Sequence, residues 1–547
     1  MRKIIKLKIV IVIAVCVCYN HCVKTPLSGL YAEKTAKYAA KKSLKAVNNN
    51  RRKCMKKLKK LLALTLASAC IAFGGCFFSG GGSSDVNVDE QTFELNPDKQ
   101  YNIEFMMWGA KNEQDNYSAL IDKFMDEYKN ITVSITTQDP TQYMSVLTGR
   151  LSGTMPDVFY MPEYEFRSWA DAGRLLPISK GLSDKERDGL WSTAIDWYSY
   201  DRQNKTLGAS ETGELYCLPK DIGPWTLMYN ADLISEAVGQ GKLTQAEADL
   251  LADDKNALTW SQFTDICVKL QNYFGTEKGN DKFFAVPYYE LSSAIWSNDA
   301  DYFDDNAMNS KIAEDNFVQT IEWLWDLMHT YKVVPKSTGD TAQNMFLAKN
   351  SAFCWVGPYL TPMYYQQGMN YRLMPVPYNG ENPQAKSTTW IGTLGLALSS
   401  TTKNPAAAMA LAKYLSINES AQEDLITRGQ LMPNIKSTAL DKNKFLSKDS
   451  RIGRIWPENA SLYCDIVDEF GGDTRKALGL SGEDKIGAKV RPHYHTFENS
   501  WLGALEMKIS EMYGFKDKSQ IKKALEDYNP TMQAYLDRSN KSAGITK

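Results

Sequence analysis

The sequence predicts an α/β fold built on a parallel sheet, and three observations support this prediction. Segments with strand and helix character alternate from Tyr101 to Tyr160. The 547 residues exceed the length of an ordinary single domain, so a body of two parts is expected. The composition, 43% hydrophobic and 23% charged, is typical of a globular protein with a sizeable buried core.

The alternation consists of three strands and two helices. Strands are predicted at 101–108, 131–136 and 155–160, where β-branched and aromatic residues cluster. Between them, apolar residues recur at helical spacing: Tyr117, Leu120, Ile121, Phe124 and Tyr128, then Tyr143, Val146, Leu147 and Leu151. Such a β-α-β-α-β order builds a parallel sheet, and ligands bind beyond the carboxyl ends of its strands.

Two later helices are predicted from their start signals. Thr259 is a candidate N-cap for a helix that contains Trp260. Asn404 is a candidate N-cap before Pro405, and that helix should run through Leu415.

The charge distribution argues against nucleic acid as a partner. Of the 63 Lys and Arg and 64 Asp and Glu, residues 1–75 hold 17 bases and one acid, which leaves 46 bases and 63 acids elsewhere. Binding to nucleic acid needs clustered Lys and Arg for the phosphates. The body of the chain is acidic, so the basic N-terminus is interpreted as a targeting signal.

Ten cysteines are present, and six of them lie at or before Cys76. The other four, Cys217, Cys267, Cys354 and Cys464, lie far apart and form no CxxC pair, so no zinc site and no other cofactor is expected. Both disulfides and free buried thiols remain open for these four.

A lipoprotein export signal is predicted at 55–75. Met55 and the lysines after it precede an apolar run from Leu61 to Phe73, which ends in Gly-Gly before Cys76. The ending resembles the lipobox of bacterial lipoproteins, which implies lipidation of Cys76 and a palmitate-type anchor in the cell membrane. Residues 76–98 begin with a Gly/Ser-rich stretch and are predicted to be a flexible tether.

Residues 1–54 are interpreted as a mis-called extension. They contain a second apolar run, Ile9 to Cys18, and two export signals in tandem would be unusual. Arg51-Arg52 lies just before Met55, and the codons AGG-AGG for this pair would form a ribosome-binding sequence. Translation is therefore expected to start at Met55.

Seven short motifs follow in one order along the chain. They are Trp108-Gly109, Gly153-Thr-Met-Pro-Asp-Val158, Trp169 to Ile178, Tyr216 to Pro219 with Leu227 to Asn230, Thr259 to Phe263, Phe346 to Phe353, and Gly357-Pro-Tyr359. In this order they resemble the extracellular solute-binding proteins of family 1, the carbohydrate-importer receptors related to maltose-binding protein. Lys349-Asn350 replaces the family's usual Gly-Lys, and the resemblance is poor over 465–497.

The resemblance implies a two-lobed, periplasmic-binding-protein-like fold (type II) with a ligand cleft between the lobes. Lobe 1 is expected at 99–222 and 385–435, and lobe 2 at 223–384 and 436–547. It further implies a monomeric receptor, not an enzyme, that is anchored by lipid at the outer face of the bacterial membrane. This receptor would bind a saccharide and deliver it to the permease subunits of an ABC importer.

A sugar site needs aromatic faces for C–H groups and planar polar groups for hydroxyls. The aromatic candidates near the expected cleft are Trp108, Tyr160, Trp225, Tyr359 and Trp390. The polar candidates are Glu113, Asp139, Glu163 and Glu290. Tyr359 and Trp390 are expected on opposite lobes, so they would meet only when the lobes close.

Other functions remain open from sequence. A secreted glycan-cleaving hydrolase would also be acidic and rich in aromatics, although no nucleophile elbow, H-E-x-x-H or phosphate loop is found. The same receptor fold with a peptide or another polar ligand is a further alternative. His493-x-His495 is too sparse for a metal site, and 301–306 lacks the glycine and distal Glu of an EF-hand loop, which favours a hairpin turn.

Overall fold

The structure is a computed structural model. It describes residues 93–447 without 306 and 338, and then 455–467, 487–489, 498–542 and 545. The predicted extension, the signal peptide, Cys76, most of the tether and both histidines of the H-x-H pair lie outside the described residues.

Twelve strands are found in the described residues. They are β1 Tyr101–Trp108, β2 Ile131–Gln138, β3 Val158–Pro162, β4 Ser199–Asp201, β5 Thr206–Leu207, β6 Glu214–Leu215, β7 Cys217–Pro224, β8 Thr226–Asn230, β9 Phe353–Val356, β10 Tyr371–Met374, β11 Thr388–Leu398 and β12 Gly487–Lys489. They form one six-stranded sheet and two sheets of three strands.

Helices cover the sheets and connect their strands. The first nine are α1 Lys111–Glu127, α2 Tyr143–Gly149, α3 Glu163–Asp171, α4 Asp184–Asp188, α5 Ser192–Trp197, α6 Ala231–Gly239, α7 Gln245–Ala252, α8 Trp260–Lys278 and α9 Leu291–Trp296. The next nine are α10 Asp315–His329, α11 Ala342–Leu347, α12 Thr361–Gln366, α13 Pro405–Ile417, α14 Glu419–Thr427, α15 Lys436–Ala439, α16 Ser461–Val467, α17 Glu498–Met512 and α18 Gln520–Ser542. Short 3₁₀ helices occur at Arg150–Ser152, Ser179–Gly181 and Pro358–Leu360.

The predicted parallel sheet is confirmed. The large sheet has the order β12-β11-β3-β1-β2, and β7 pairs with β11. Strand β1 runs parallel to both β2 and β3, as the β-α-β-α-β order requires. The apolar face of α1 is buried through Tyr117, Leu120, Ile121 and Phe124, which places this helix on the sheet.

Both predicted helix starts are confirmed in position, and one of them has a side-chain cap. The Thr259 side chain accepts from the Gln262 amide, and Gln262 bonds back to Thr259, so α8 begins with a full capping box. Asn404 is the N-cap residue of α13, but its side chain makes no cap hydrogen bond; its amide group donates to the backbone carbonyl of Asn102. Pro405 still occupies the first turn of α13.

Two buried apolar cores organise the described chain. The first surrounds the large sheet and includes Phe105 and Tyr160. The second contains Leu227 of β8 and Phe263 of α8. Strands β7 and β8 are separated only by Trp225, so the chain passes directly from the large sheet into the antiparallel β10-β8-β9 sheet.

Strand β11 makes a second connection between the cores. Its C-terminal half pairs with β3 and β7 in the large sheet. At its other end, the backbone of Thr388 bonds with the hydroxyl group of Ser297, just after α9. The two connections between the cores therefore lie near Trp225 and near Trp390.

The segment 455–467 contacts strand β10 of a three-stranded sheet as well as helix α14. Asn459 exchanges two hydrogen bonds with the backbone of Leu373 on β10, whereas the Trp456 ring donates to the backbone of Ile426. Ala439, Phe445 and apolar residues of 455–467 pack in the first core, and apolar residues from Trp501 to Leu536 pack in the second. The expectation that 436–547 belongs as one piece to lobe 2 therefore disagrees with the core packing.

Other sequence features are placed as follows. Cys217, Cys267, Cys354 and Cys464 are free and buried. The Asp304 side chain accepts from the Met308 and Asn309 amides, so the loop that resembled a calcium site is held as a turn. Within the described ranges, no helix is both long enough and apolar enough to cross a membrane.

Candidate functional site: an aromatic cleft with an acidic end

A cavity of about 800 Å³ lies between the two cores. Its first wall is formed where β1 and β3 end, with Trp108, Pro162 and the starts of α1 and α3. The facing wall is formed by Trp225, Trp390, residues 358–360, Met363, Gln366 and Gln367. A volume of this size fits a small-molecule ligand, and the position is the one predicted from the carboxyl ends of the parallel strands.

The second wall is an aromatic cluster of Trp225, Tyr359 and Trp390. The ring of Trp225 lies 5.8 Å from that of Tyr359, edge to face, and 5.9 Å from that of Trp390. Tyr359 is 50% exposed, while both tryptophans are half-buried against the second core. The expectation that Tyr359 and Trp390 lie on opposite lobes is therefore wrong, since both contact Trp225 in a single wall.

Trp108 supplies an aromatic surface on the first wall. It is the last residue of β1, and its ring is held edge-on by Tyr143 at 4.5 Å and Tyr160 at 5.3 Å. The hydroxyl of Tyr143 bonds to the backbone carbonyls of Met106 and Tyr160, which joins the ends of β1 and β3. The ring of Trp108 therefore stands on a fixed support.

A charged trio, Glu113, Lys220 and Asp221, occupies the polar end of the cavity. The Lys220 ammonium lies 2.7 Å from a carboxylate oxygen of Glu113 and 2.7 Å from one of Asp221. Burial alone would lower the pKa of Lys220, but the charges of Asp221 and Glu113 outweigh burial and raise this pKa well above its ordinary value. The ammonium group is therefore charged at neutral pH.

The trio is positioned by backbone on both sides. Glu113 lies in the first turn of α1, where a carboxylate is favoured by the helix dipole. Its carboxylate packs against Gly109, and a Cβ at Gly109 would lie 2.6 Å from Glu113 Oε2. Lys220 and Asp221 lie in β7, whose backbone is fixed in part by the Asn434 amide group bonding to the carbonyls of Pro219 and Lys220.

Three candidate residues do not lie in the cavity wall. Tyr160 is fully buried in the first core, although its hydroxyl is 3.5 Å from Glu113. Asp139 is exposed and accepts from Thr141 in its own loop, and those bonds lower its pKa. Glu290 caps α9 by accepting from the Ser292 and Ser293 amides.

The other six candidates, Trp108, Glu113, Glu163, Trp225, Tyr359 and Trp390, all line the cavity. Sequence reasoning missed Lys220, Asp221 and Tyr164, which also line it. A signal for the first two was present, because two charged residues interrupt the apolar run that follows Tyr216. Tyr164 carried no such signal.

The arrangement is suited to binding a neutral polar molecule with apolar faces. Aromatic rings offer flat apolar area, and the carboxylates offer hydrogen-bond acceptors to hydroxyl groups. Within the described ranges, no group of three or more His, Cys, Asp or Glu is arranged to hold a metal ion.

Comparison with a family model identifies a match over residues 119–452, to the family described as bacterial extracellular solute-binding protein. The matched range begins within α1 and ends after α15, and it includes β7, β11 and the aromatic wall.

Solved structures share the fold at low sequence identity. An ABC substrate-binding protein from Listeria monocytogenes in complex with cycloalternan is 16% identical, with a TM-score of 0.55 over 82% of this chain and 100% of that one. A cyclic alpha-maltosyl-1,6-maltose binding protein from Arthrobacter globiformis is 13% identical, with a TM-score of 0.60 over 80% and 100%. UgpB from Mycobacterium tuberculosis in complex with glycerophosphocholine is 15% identical, with a TM-score of 0.57 over 80% and 98%. These likenesses confirm the two-lobed α/β fold.

Proposed function

The chain belongs to the family of bacterial extracellular solute-binding proteins, and from this membership we propose that it captures a sugar or oligosaccharide for an ABC importer. The sugar binds in the cavity between the two cores. The loaded protein acts as a monomer and presents the sugar to the permease subunits of the importer.

The aromatic wall opposite Trp108 is the observation that carries this proposal. Trp225, Tyr359 and Trp390 form a continuous surface on one side of the cavity, and Glu113 and Asp221 supply acceptors at its polar end. Sugar rings combine apolar C–H faces with a rim of hydroxyl groups, so they match both features. The sugar-binding neighbours of the same fold support the same ligand class.

We propose that the protein binds its sugar without cleaving it. A glycosidase needs two carboxyl groups, one of which is protonated to act as general acid. In this cavity Glu113 and Asp221 both form ion pairs with the single ammonium of Lys220. The pair is therefore arranged as hydrogen-bond acceptors for the hydroxyl groups of the sugar.

A thermal-shift screen of mono- and oligosaccharides, followed by calorimetry on each hit, tests the function. We expect at least one saccharide to raise the melting temperature and to bind with one-to-one stoichiometry. Mass spectrometry after prolonged incubation should return that saccharide intact. Catalytic amounts of cleaved product would place the protein among the hydrolases, and binding of peptides alone would overturn the ligand class.

A lipid on Cys76 holds the receptor at the extracellular face of the cytoplasmic membrane. The export signal at 55–75 supports this part of the proposal. We expect Cys76→Ala to move the protein from the membrane fraction to the medium and to abolish labelling by a palmitate analogue. Cys70→Ala, within the apolar run, is the matched control and should change neither the membrane location of the protein nor its labelling. Continued labelling of Cys76→Ala would contradict the anchor, and peptides from residues 1–54 in cells would contradict a start at Met55.

A further inference from the structure

The charged trio at the polar end of the cavity has an unequal charge balance. One ammonium, on Lys220, faces two carboxylates, on Glu113 and Asp221, and one oxygen of each carboxylate lies 2.7 Å from the nitrogen. The Glu113 and Asp221 oxygens that contact the ammonium nitrogen therefore lie no farther apart than twice 2.7 Å. Counted by formal charge, one ammonium and two carboxylates give the trio a net charge of −1.

The ammonium and the carboxylates differ in their access to the cavity. The side chain of Lys220 is 4% exposed, whereas those of Glu113 and Asp221 are 17% and 19% exposed. The ammonium nitrogen also lies over the rings of Tyr117 and Tyr160, at 5.4 and 5.6 Å, on the side of the first core. A ligand therefore reaches the carboxylates more readily than the ammonium.

The polar atoms of the trio that are more exposed to the cavity, the carboxylate oxygens of Glu113 and Asp221, accept hydrogen bonds. A carboxylate has two oxygens with about four acceptor positions, and the Lys220 contact uses only part of them. Hydroxyl and ammonium groups of a ligand can donate to these oxygens. A ligand carboxylate or phosphate would instead meet like charge in a partly desolvated site, where repulsion is strong.

We propose that Glu113 and Asp221, held by Lys220, select saccharides without negative charge, so that neutral sugars and amino sugars bind while uronates and sugar phosphates are rejected. This inference depends on the proposed function, because it specifies the class of sugar within the same site. Lys220 acts as a positioning residue that keeps the two carboxylates together at the end of the cavity.

Calorimetry with charge-matched saccharides tests the selectivity. The probes are trisaccharides of glucose, galactose and mannose, the uronate counterpart of each, and the β-1,4-linked glucosamine trimer. For each sugar type whose neutral trisaccharide binds, we expect the dissociation constant of the uronate to be at least about tenfold higher. This difference in affinity between neutral sugar and uronate, called the gap below, should shrink when the salt concentration is raised from ~0.02 to ~0.5 M, because screening weakens repulsion between charges.

Two variants connect the selectivity to the trio. Asp221→Asn and Glu113→Gln each remove one negative charge, and each should narrow the gap between neutral sugar and uronate at least about threefold. Asp232→Asn is the matched control, because Asp232 forms a surface ion pair with Lys349 and does not line the cavity. It should leave the gap unchanged, and melting of each unliganded variant checks that it folds.

The outcomes separate the inference from the proposed function. Uronates that bind the wild type as well as neutral sugars do would overturn the selectivity while the sugar receptor stands. A gap that neither variant nor salt changes would also overturn it. No binding by any saccharide, neutral, amino or acidic, would overturn the proposed function and this inference with it.

Discussion

The indole ring of Trp225 meets the ring of Tyr359 edge to face, with 5.8 Å between their centroids. Trp225 is the residue at which the chain leaves strand β7 of the large sheet and enters strand β8 of the small one. The aromatic wall is thus attached to a connection between the two cores. A ligand that also contacts Trp108 and Glu113 across the cavity would stabilise the closed arrangement by differential affinity.

Removing Tyr359 should weaken sugar binding without destabilising the fold. Its ring is 50% exposed, so truncation costs the unliganded protein little. Loss of an aromatic anchor in binding typically costs roughly 2 to 4 kcal/mol, which is about thirtyfold or more in dissociation constant. The measurement is calorimetric affinity and unliganded melting temperature for Tyr359→Ala.

Tyr365→Ala is the control for this prediction. Tyr365 is equally exposed, lies in the neighbouring helix α12, and does not line the cavity. It should bind sugar as the wild type does. Equal affinities for the two variants would show that Tyr359 takes no part in the site.

Gly109→Ala should damage both the stability and the polar end of the cavity. Gly109 has φ of +148°, which side-chain-bearing residues rarely adopt, and the new methyl carbon would lie 2.6 Å from the Glu113 carboxylate. We expect a loss of roughly 1 to 3 kcal/mol in the free energy of unfolding, together with weaker sugar binding.

Gly149→Ala gives the comparison, since no atom lies within 4 Å of the added carbon and its residue is helical. That variant should be neutral or slightly more stable, because alanine favours helix. If Gly109→Ala melted and bound sugar like Gly149→Ala, the close packing of Gly109 on Glu113 would be disproved.

The Glu104–Arg150 ion pair predicts a pH dependence of stability. The hydrogen bond from Arg150, opposed by burial and helped by Thr136, lowers the pKa of Glu104. Because this pKa is lower in the folded state, the ionised carboxylate stabilises the protein at pH values above its unfolded-state pKa of about 4.3. The stabilisation is lost as the pH falls below that value and through the folded-state pKa. Glu104→Gln should therefore cost roughly 1 to 3 kcal/mol at neutral pH and progressively less in acid.

Urea unfolding from neutral pH into the acid range measures the difference in the free energy of unfolding between the wild type and Glu104→Gln. Glu211→Gln, at an exposed position, should match the wild type throughout. A wild-type advantage that stays constant from pH 7 into the acid range would contradict the assignment.

The sequence predicted most of the first half of the large sheet, because its signals are local. Strand β1 occupies the predicted range, and its central residues Phe105, Met106 and Met107 are fully buried. Capping chemistry likewise identified the start of α8 at Thr259. The start of α13 after Asn404 was also predicted correctly, although the Asn404 side chain makes no cap hydrogen bond and its amide donates to the distant backbone carbonyl of Asn102.

The site was predicted in part, for a similar physical reason. Trp225, Tyr359 and Trp390 were found through motif order, whereas the trio depends on how β7 packs beside the start of α1. No local pattern reveals that Lys220 meets Glu113 across that distance in sequence. Tyr160 and Glu290 were misjudged because whether an aromatic or acidic residue faces a cavity, a core or a helix end is decided by tertiary packing.

A crystal structure with a saccharide identified by the screen tests the central claim most directly. We predict a sugar ring packed at about 4 Å on the rings of Trp225, Tyr359 or Trp390. Its hydroxyl groups should lie about 3 Å from the carboxylates of Glu113 or Asp221, with every glycosidic bond intact. A saccharide bound outside this cavity, or present only as cleavage products, would contradict the account of the protein as a sugar receptor.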